Sequence, residues 1–183
     1  MMKKILLVSL LSSAVTGVMA QSDNKESGFY VEAGLIQAYY KEPSLNFNNA
    51  MGSLKGGYNI DKNFAIEGMY AGNLNSSSGY VGAVYVTAQV QNAYGIYGKA
   101  KIDLNDIFAI YAKAGATNGT VSASASFGGN FASAFASGTS PSFGAGVQAN
   151  ISKETYASLE YMSYYNRNSV TIAGPSINVG YKF

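Results

Sequence analysis

Seven charged side chains recur on the small, polar parity of alternating segments: Glu32, Lys55, Glu67, Lys99, Lys113, Glu160 and Lys182. Carboxylates and ammonium groups turned to one side of a wall can do two things. They can pair and neutralise one another inside a packed interior, or they can line a path for ions. Catalysis has less to draw on, because the chain has no His and no Cys. That removes the commonest general base and metal ligand, disulfides and thiolate metal sites. Gly144-Ala145-Gly146-Val147-Gln148-Ala149 matches the dinucleotide fingerprint on paper, but it lies inside a strand pattern and opens no helix. No catalytic residue, metal site or cofactor is expected from it.

The segments that must position these charges are unusually poor in charge themselves. Only 12% of the 183 residues are charged, against about 25% in ordinary soluble domains. A surface of that composition suits lipid better than water. Of the 12 basic residues two are Lys3 and Lys4, so the remainder equals the 10 acidic ones. No basic patch points to nucleic acid. Met1 to Ala20 has the form of a cleavable secretory signal: two lysines, an apolar run from Ile5 to Leu11, and Val18-Met19-Ala20 before the cut. The apolar run is too short to span a membrane as a helix. Residues 21–26 are polar and read as a periplasmic lead-in, leaving 27–183 as one barrel domain.

Alternation with the period of a strand divides that domain into eight segments. The first runs from Ser27 to Tyr40, and Lys41 to Asn49, containing Pro43, reads as a loop. Met51 to Ile60 and the run from Phe64 flank the tight turn Asp61 to Asn63 and form a hairpin. After the polar tip Asn73 to Gly79, a long fourth strand reaches Ile102, with Val86, Ala88 and Val90 on the face of Tyr94 and Ile96. Asp103 to Asp106 turns it into a fifth from Phe108 to Thr117. The sixth spans Ser142 to Ile151, Ser152 to Glu154 turns it into the seventh, and the last ends at Phe183. The excursion Asn118 to Pro141 alternates Val121, Ala123, Ala125 and Phe127 with serines, and reads as a hairpin prolonged beyond the wall. Short turns at one end and long connections at the other are the asymmetry of outer-membrane barrels. A water-soluble carrier barrel would need a polar parity dense in Lys, Glu and Asp, whereas this one is mostly Gly, Ser, Ala, Gln, Asn and Tyr. The fold class expected is all-β, an eight-stranded antiparallel up-and-down transmembrane barrel.

The phrases Ser53-Leu54-Lys55-Gly56-Gly57-Tyr58, Phe64-Ala65-Ile66-Glu67-Gly68-Met69-Tyr70, Ser142-Phe143-Gly144-Ala145-Gly146-Val147 and the terminal Gly180-Tyr181-Lys182-Phe183 resemble those of the small outer-membrane β-barrel family. That family includes the transmembrane domain of outer membrane protein A, the opacity-type surface proteins and the protein X type. The resemblance implies a bacterial outer-membrane location with both termini periplasmic, contact with lipid and lipopolysaccharide, and a monomer. It also implies that Tyr181 and Phe183 form the assembly signal read by the barrel-insertion machinery. The chain stops at the barrel, so the wall-tethering domain of protein A is not expected. Barrel-embedded lipases and deacylases need a His beside a Ser, and this chain has none. The function expected is a non-enzymatic structural or surface role, with loops that contact an extracellular ligand; the alternative is a narrow porin-like pore.

Register counting gives the lumen charges their expected partners. Centring the first hairpin on Asp61 to Asn63 sets Gly57 opposite Glu67 and Lys55 opposite Met69, which makes Lys55 and Glu67 diagonal neighbours. Counting around Asn105 sets Lys99 opposite Tyr111 and Lys113 opposite Tyr97, with Glu67 and Glu160 as the carboxylates for these two lysines. Glu32 and Lys182 are expected to pair across the closing seam. Outward Phe29, Tyr58, Phe64, Phe108, Tyr181 and Phe183 near the turn side, with Tyr70 and Tyr161 toward the loop side, read as interfacial girdles.

Overall fold

The computed structural model describes residues 27–43, 45–81, 84–128 and 130–183. The signal and lead-in expected over residues 1–26 lie outside these. Nine strands follow in order: β1 Gly28–Glu42, β2 Leu45–Asn59, β3 Phe64–Asn73, β4 Ser77–Val81, β5 Val84–Asp103, β6 Phe108–Phe127, β7 Asn130–Asn150, β8 Thr155–Arg167 and β9 Val170–Lys182. All pairings are antiparallel. Eight strands form a closed ring, because β3 pairs with β5 and β9 returns to β1, while the short β4 pairs only with the far end of β5. Closure at β1 and β9 runs from Tyr30 opposite Lys182 to Lys41 opposite Thr171, and the Phe183 amide donates to the Phe29 carbonyl at 2.9 Å. Within the described residues each of the eight ring strands has a neighbour on both sides, so the membrane-spanning wall has no open edge.

One end of the ring is closed by three compact turns, each held by a side chain that the local sequence supplies. Asp61 Oδ1 accepts from the amides of Asn63 and Phe64 at 2.7 and 2.8 Å. Asn105 Oδ1 accepts from Ile107 and Phe108 at 2.9 and 2.7 Å. Ser152 Oγ accepts from Glu154 and Thr155 at 3.2 and 3.0 Å. Short polar side chains that capture backbone amides two and three residues on are the reason these residue types recur at turns.

At the other end the structure differs from the sequence reading. The segment read as a loop, Lys41 to Asn49, is paired throughout, with Glu42 opposite Leu45 and Ala38 opposite Asn49. Pro43 sits in the turn itself, where its missing amide costs no ladder bond. The expected prolongation of Asn118 to Pro141 is present: β6 and β7 stay paired up to Phe127 opposite Asn130. These strands are 20 and 21 residues long, whereas about 9–11 suffice to cross a bilayer. What read as long loops is sheet standing beyond the membrane-spanning wall.

Two β-bulges change which residues face inward. One lies between Val90 and Asn92 where β5 meets β6, the other between Ser163 and Tyr165 where β8 meets β9. The first overturns the expected shared face of Ala88, Val90, Tyr94 and Ile96: Ala88 and Val90 are buried, whereas Tyr94 and Ile96 are exposed. One extra residue reverses the parity of everything beyond it.

Candidate functional site

The candidate site is the lumen, since the outer face of the ring is a lipid-suited belt. Leu35, Leu54, Ile66, Ile96, Leu159 and Ile177 on that face are each more than half exposed. The inner face carries the charges, and six of the seven are buried to 5% exposure or less. They form one continuous chain. Lys99 Nζ lies 3.6 Å from Glu32 Oε1, and Lys55 Nζ lies 3.4 Å from Glu32 Oε2 and 3.1 Å from Glu160 Oε1. Lys113 Nζ then lies 2.6 Å from both Glu160 Oε2 and Glu67 Oε1. Three lysines and three glutamates alternate, so the chain is neutral as a whole. Tyr30 donates to Glu67 Oε2 at 2.8 Å, the oxygen that Lys113 leaves open, and Tyr156 donates to Glu32 Oε1 at 2.9 Å.

The strand registers explain which lysine meets which carboxylate. Glu32 is directly opposite Lys55 across β1 and β2, and Gly57 opposite Glu67 across β2 and β3. Lys55 therefore turns to Glu32 and, across the lumen, to Glu160, not to its diagonal neighbour Glu67. Lys99 stands opposite Lys113 in the ladder, and Tyr111 opposite Lys101. The pairings of Lys99 with Tyr111 and Lys113 with Tyr97 read from the sequence are thus two residues out, because the turn centres on Asp106 and not on Asn105. The like charges are held apart by opposite attractions, Lys99 toward Glu32 and Lys113 toward Glu67 and Glu160. Lys182 does not reach Glu32. It hydrogen-bonds Asn150 Oδ1 at 3.1 Å at the turn-side rim and lies 5.2 Å from the centre of the Tyr156 ring.

Two further features fill the lumen, and the sequence reading missed both. Inward tyrosines lie over glycines of the neighbouring strand: Tyr30 opposite Gly57, Tyr111 opposite Gly146 and Tyr156 opposite Gly180. A Cβ at any of these glycines would overlap the ring. The glycine is there to make room for a large inner side chain in a narrow barrel. On the loop side of the charges, Ile36, Met51, Met69, Tyr97, Met162 and Tyr164 form a buried apolar layer. The cavity left within this layer is only about 20 Å³, room for about one water. Beyond it lies a vestibule of about 280 Å³ on the loop side, and below the charges one of about 240 Å³ on the turn side. Methionines at inner positions 51, 69 and 162 were the legible signal for the apolar layer, because three unbranched apolar side chains break an otherwise polar parity.

The aromatic residues face outward where they were expected. Phe29, Tyr58, Phe64, Tyr70, Phe108, Tyr161, Tyr181 and Phe183 are 41–57% exposed. Phe29 packs edge-on against Tyr58 with ring centres 4.9 Å apart, and Tyr181 against Phe183 at 5.1 Å. Tyr94, opposite Tyr70 in the ladder, joins the loop-side group.

With this geometry in place, comparison with known proteins decides the family. The family described as the outer membrane protein beta-barrel domain matches residues 8–183. The chain belongs to that family. Among solved structures this outer-membrane barrel is similar to Ail, the attachment invasion locus protein of Yersinia pestis, with TM-score 0.65 and 22% identity over 86% of this chain and 99% of Ail. It is similar to Neisserial surface protein A with TM-score 0.58 and 18% identity over 86% of this chain and 99% of that one. The N-terminal barrel domain of Pseudomonas aeruginosa OprF gives TM-score 0.58 and 14% identity over 89% of this chain and 100% of the domain. A search of curated proteins by sequence gives no match. Membership makes the protein an integral β-barrel of the bacterial outer membrane, and identities this low to the solved structures carry the fold alone.

Proposed function

We propose that the protein is a non-enzymatic, monomeric surface protein that works through the sheet standing outside the membrane, with its lumen serving only to hold the wall. One observation carries this reading: the interior is closed by two layers in series, a neutral charge chain and an apolar layer, while β5, β6 and β7 extend well past the bilayer-spanning length. The extension presents Phe131 and Phe135, 72% and 66% exposed, on a stretch made mostly of Ala and Ser. Large apolar side chains on a small-residue sheet are a contact surface in search of a partner. Ail is named for attachment and invasion, and one of its structures holds the heparin analogue sucrose octasulfate; an extracellular ligand for the present chain fits that precedent. Assembly through the insertion machinery, with Tyr181 and Phe183 as its signal, belongs to the same reading.

Val121 stands opposite Ala136, so removing residues 122–135 and joining these two by an Asn-Gly turn shortens the extension without touching the wall. Bacteria displaying equal surface amounts of full-length and shortened chain are compared for binding to host-cell monolayers and matrix proteins. Binding that falls to background with the shortened chain supports the reading. Equal binding by both removes it.

A further inference from the structure

The vestibule at the turn-side mouth has a charge imbalance that the lumen chain does not. Its walls include Lys62, Lys101 and Lys182 against Asp61 and Asp103, three cations to two anions, besides Lys99, whose charge the lumen chain already sets against Glu32. Both carboxylates are already engaged. Asp61 Oδ1 accepts two amides of its own turn, and Asp103 Oδ1 lies 3.0 Å from Lys101 Nζ. Among the described residues Lys182 has no carboxylate in ion-pair range, only the neutral amide oxygen of Asn150 and the face of Tyr156. Lys99 is the decisive residue. It is 95% buried, yet its one carboxylate, Glu32, stands at 3.6 Å, beyond hydrogen-bond length. Around it lie the faces of Tyr111, Tyr30 and Tyr156, with ring centres 4.3, 5.3 and 5.9 Å from Nζ. Aromatic faces offset its charge but accept none of its three protons in a full hydrogen bond.

We propose that this vestibule binds a small multivalent oxyanion, a phosphate or phosphomonoester, with Lys99 at its floor and Lys101 and Lys182 at its rim. An anion with several oxygens supplies acceptors to all three ammonium groups at once. A chloride ion offers one centre and cannot bridge the floor and the rim. The cavity of about 240 Å³ is below the usual range for organic ligands, about 300–1,000 Å³, which favours a compact anion. Lys99, Lys101 and Lys182 stand on the inner parity of their strands, so the anion is a free one and not a lipid headgroup tethered by acyl chains.

The test uses the refolded full barrel in maltoside micelles, which contain no phosphate, with amide chemical shifts read at Ala65, Lys101 and Lys182. Inorganic phosphate shifts these signals saturably, and chloride at matched ionic strength does not. Lys101→Gln and Lys182→Gln each weaken the phosphate affinity about tenfold, the loss of one charged hydrogen bond, while Asp103→Asn tightens it by freeing Lys101. Lys62→Gln, on the exposed turn, gives a smaller loss and serves where a rim variant fails to fold. Shifts that do not saturate, that chloride reproduces, that appear only with a short-chain phosphatidic acid, or that persist at wild-type affinity in the lysine variants overturn the site.

Discussion

Glu32 and Glu160 each hold two lysines, yet their removal has different consequences. Without Glu160, Lys55 keeps Glu32 and Lys113 keeps Glu67. Without Glu32, Lys55 keeps Glu160 but Lys99 keeps no carboxylate at all. Breaking a buried pair so that a charge is left uncompensated costs about 3–5 kcal/mol. Glu32→Gln should therefore destabilise the barrel by about that amount and Glu160→Gln by clearly less, read as denaturant midpoints of the refolded protein in lipid vesicles. Lys99→Met added to Glu32→Gln restores neutrality and should recover most of the loss. Equal midpoints for the two single variants would show that the chain's connectivity does not govern stability.

At the level of the strands, one turn and one terminus decide how the wall is finished. The β8–β9 turn is two residues long, Asn168 and Ser169, with φ of 52° and 63° and Arg167 opposite Val170. Asn tolerates the left-handed region, but Ser has no such preference. Ser169→Gly should stabilise the barrel by about 1 kcal/mol, measured by the same denaturant titration, and a destabilisation would mean that the serine hydroxyl has a role in the turn. At the closing seam, Phe183 contributes one backbone bond to Phe29 and one edge contact to Tyr181, too little to hold a folded barrel together. Deleting it should lower the outer-membrane yield in cells severely while barely moving the midpoint of barrel already folded; equal yields would sink its role as a signal. The eight strands of the ring, the short-turn end and the prolonged β6–β7 hairpin were legible, because strict alternation and Asp, Asn and Ser at turns are local signals, whereas the short β4 falls partly in the segment read as a polar tip and was not. The β5 bulge was not, since the residues around Asn92 do not mark an insertion and the reversal shows only in the partner's register. The Lys99 register failed for a related reason: a turn of several polar residues can centre on Asn105 or Asp106, and each step of the centre moves the facing residue by two.

For the molecule as a whole, the question is whether eight strands enclose a path. Such a ring is only just wide enough for its side chains to fill, and here the filling is in two chemically different layers. An ion entering from the turn side meets the neutral chain of Lys99, Glu32, Lys55, Glu160, Lys113 and Glu67, in which every carboxylate has a lysine within 3.6 Å. It then meets the apolar layer of Met51, Met69 and Met162 with Tyr97 and Tyr164, where two phenol hydroxyls replace little of the water it sheds. A single substitution such as Glu160→Gln loosens only the first barrier, so on its own it should not open even fleeting conductance, although the charge chain considered alone would suggest that it does. Combining Glu160→Gln with Met69→Ala and Met162→Ala removes bulk from the second barrier and should give measurable, flickering current in planar bilayers. Wild type and each layer's variants alone should stay closed. A large, steady wild-type conductance, unchanged by any of these substitutions, would mean that the side chains part more readily than their packing implies, and the narrow-pore reading would then replace the closed wall.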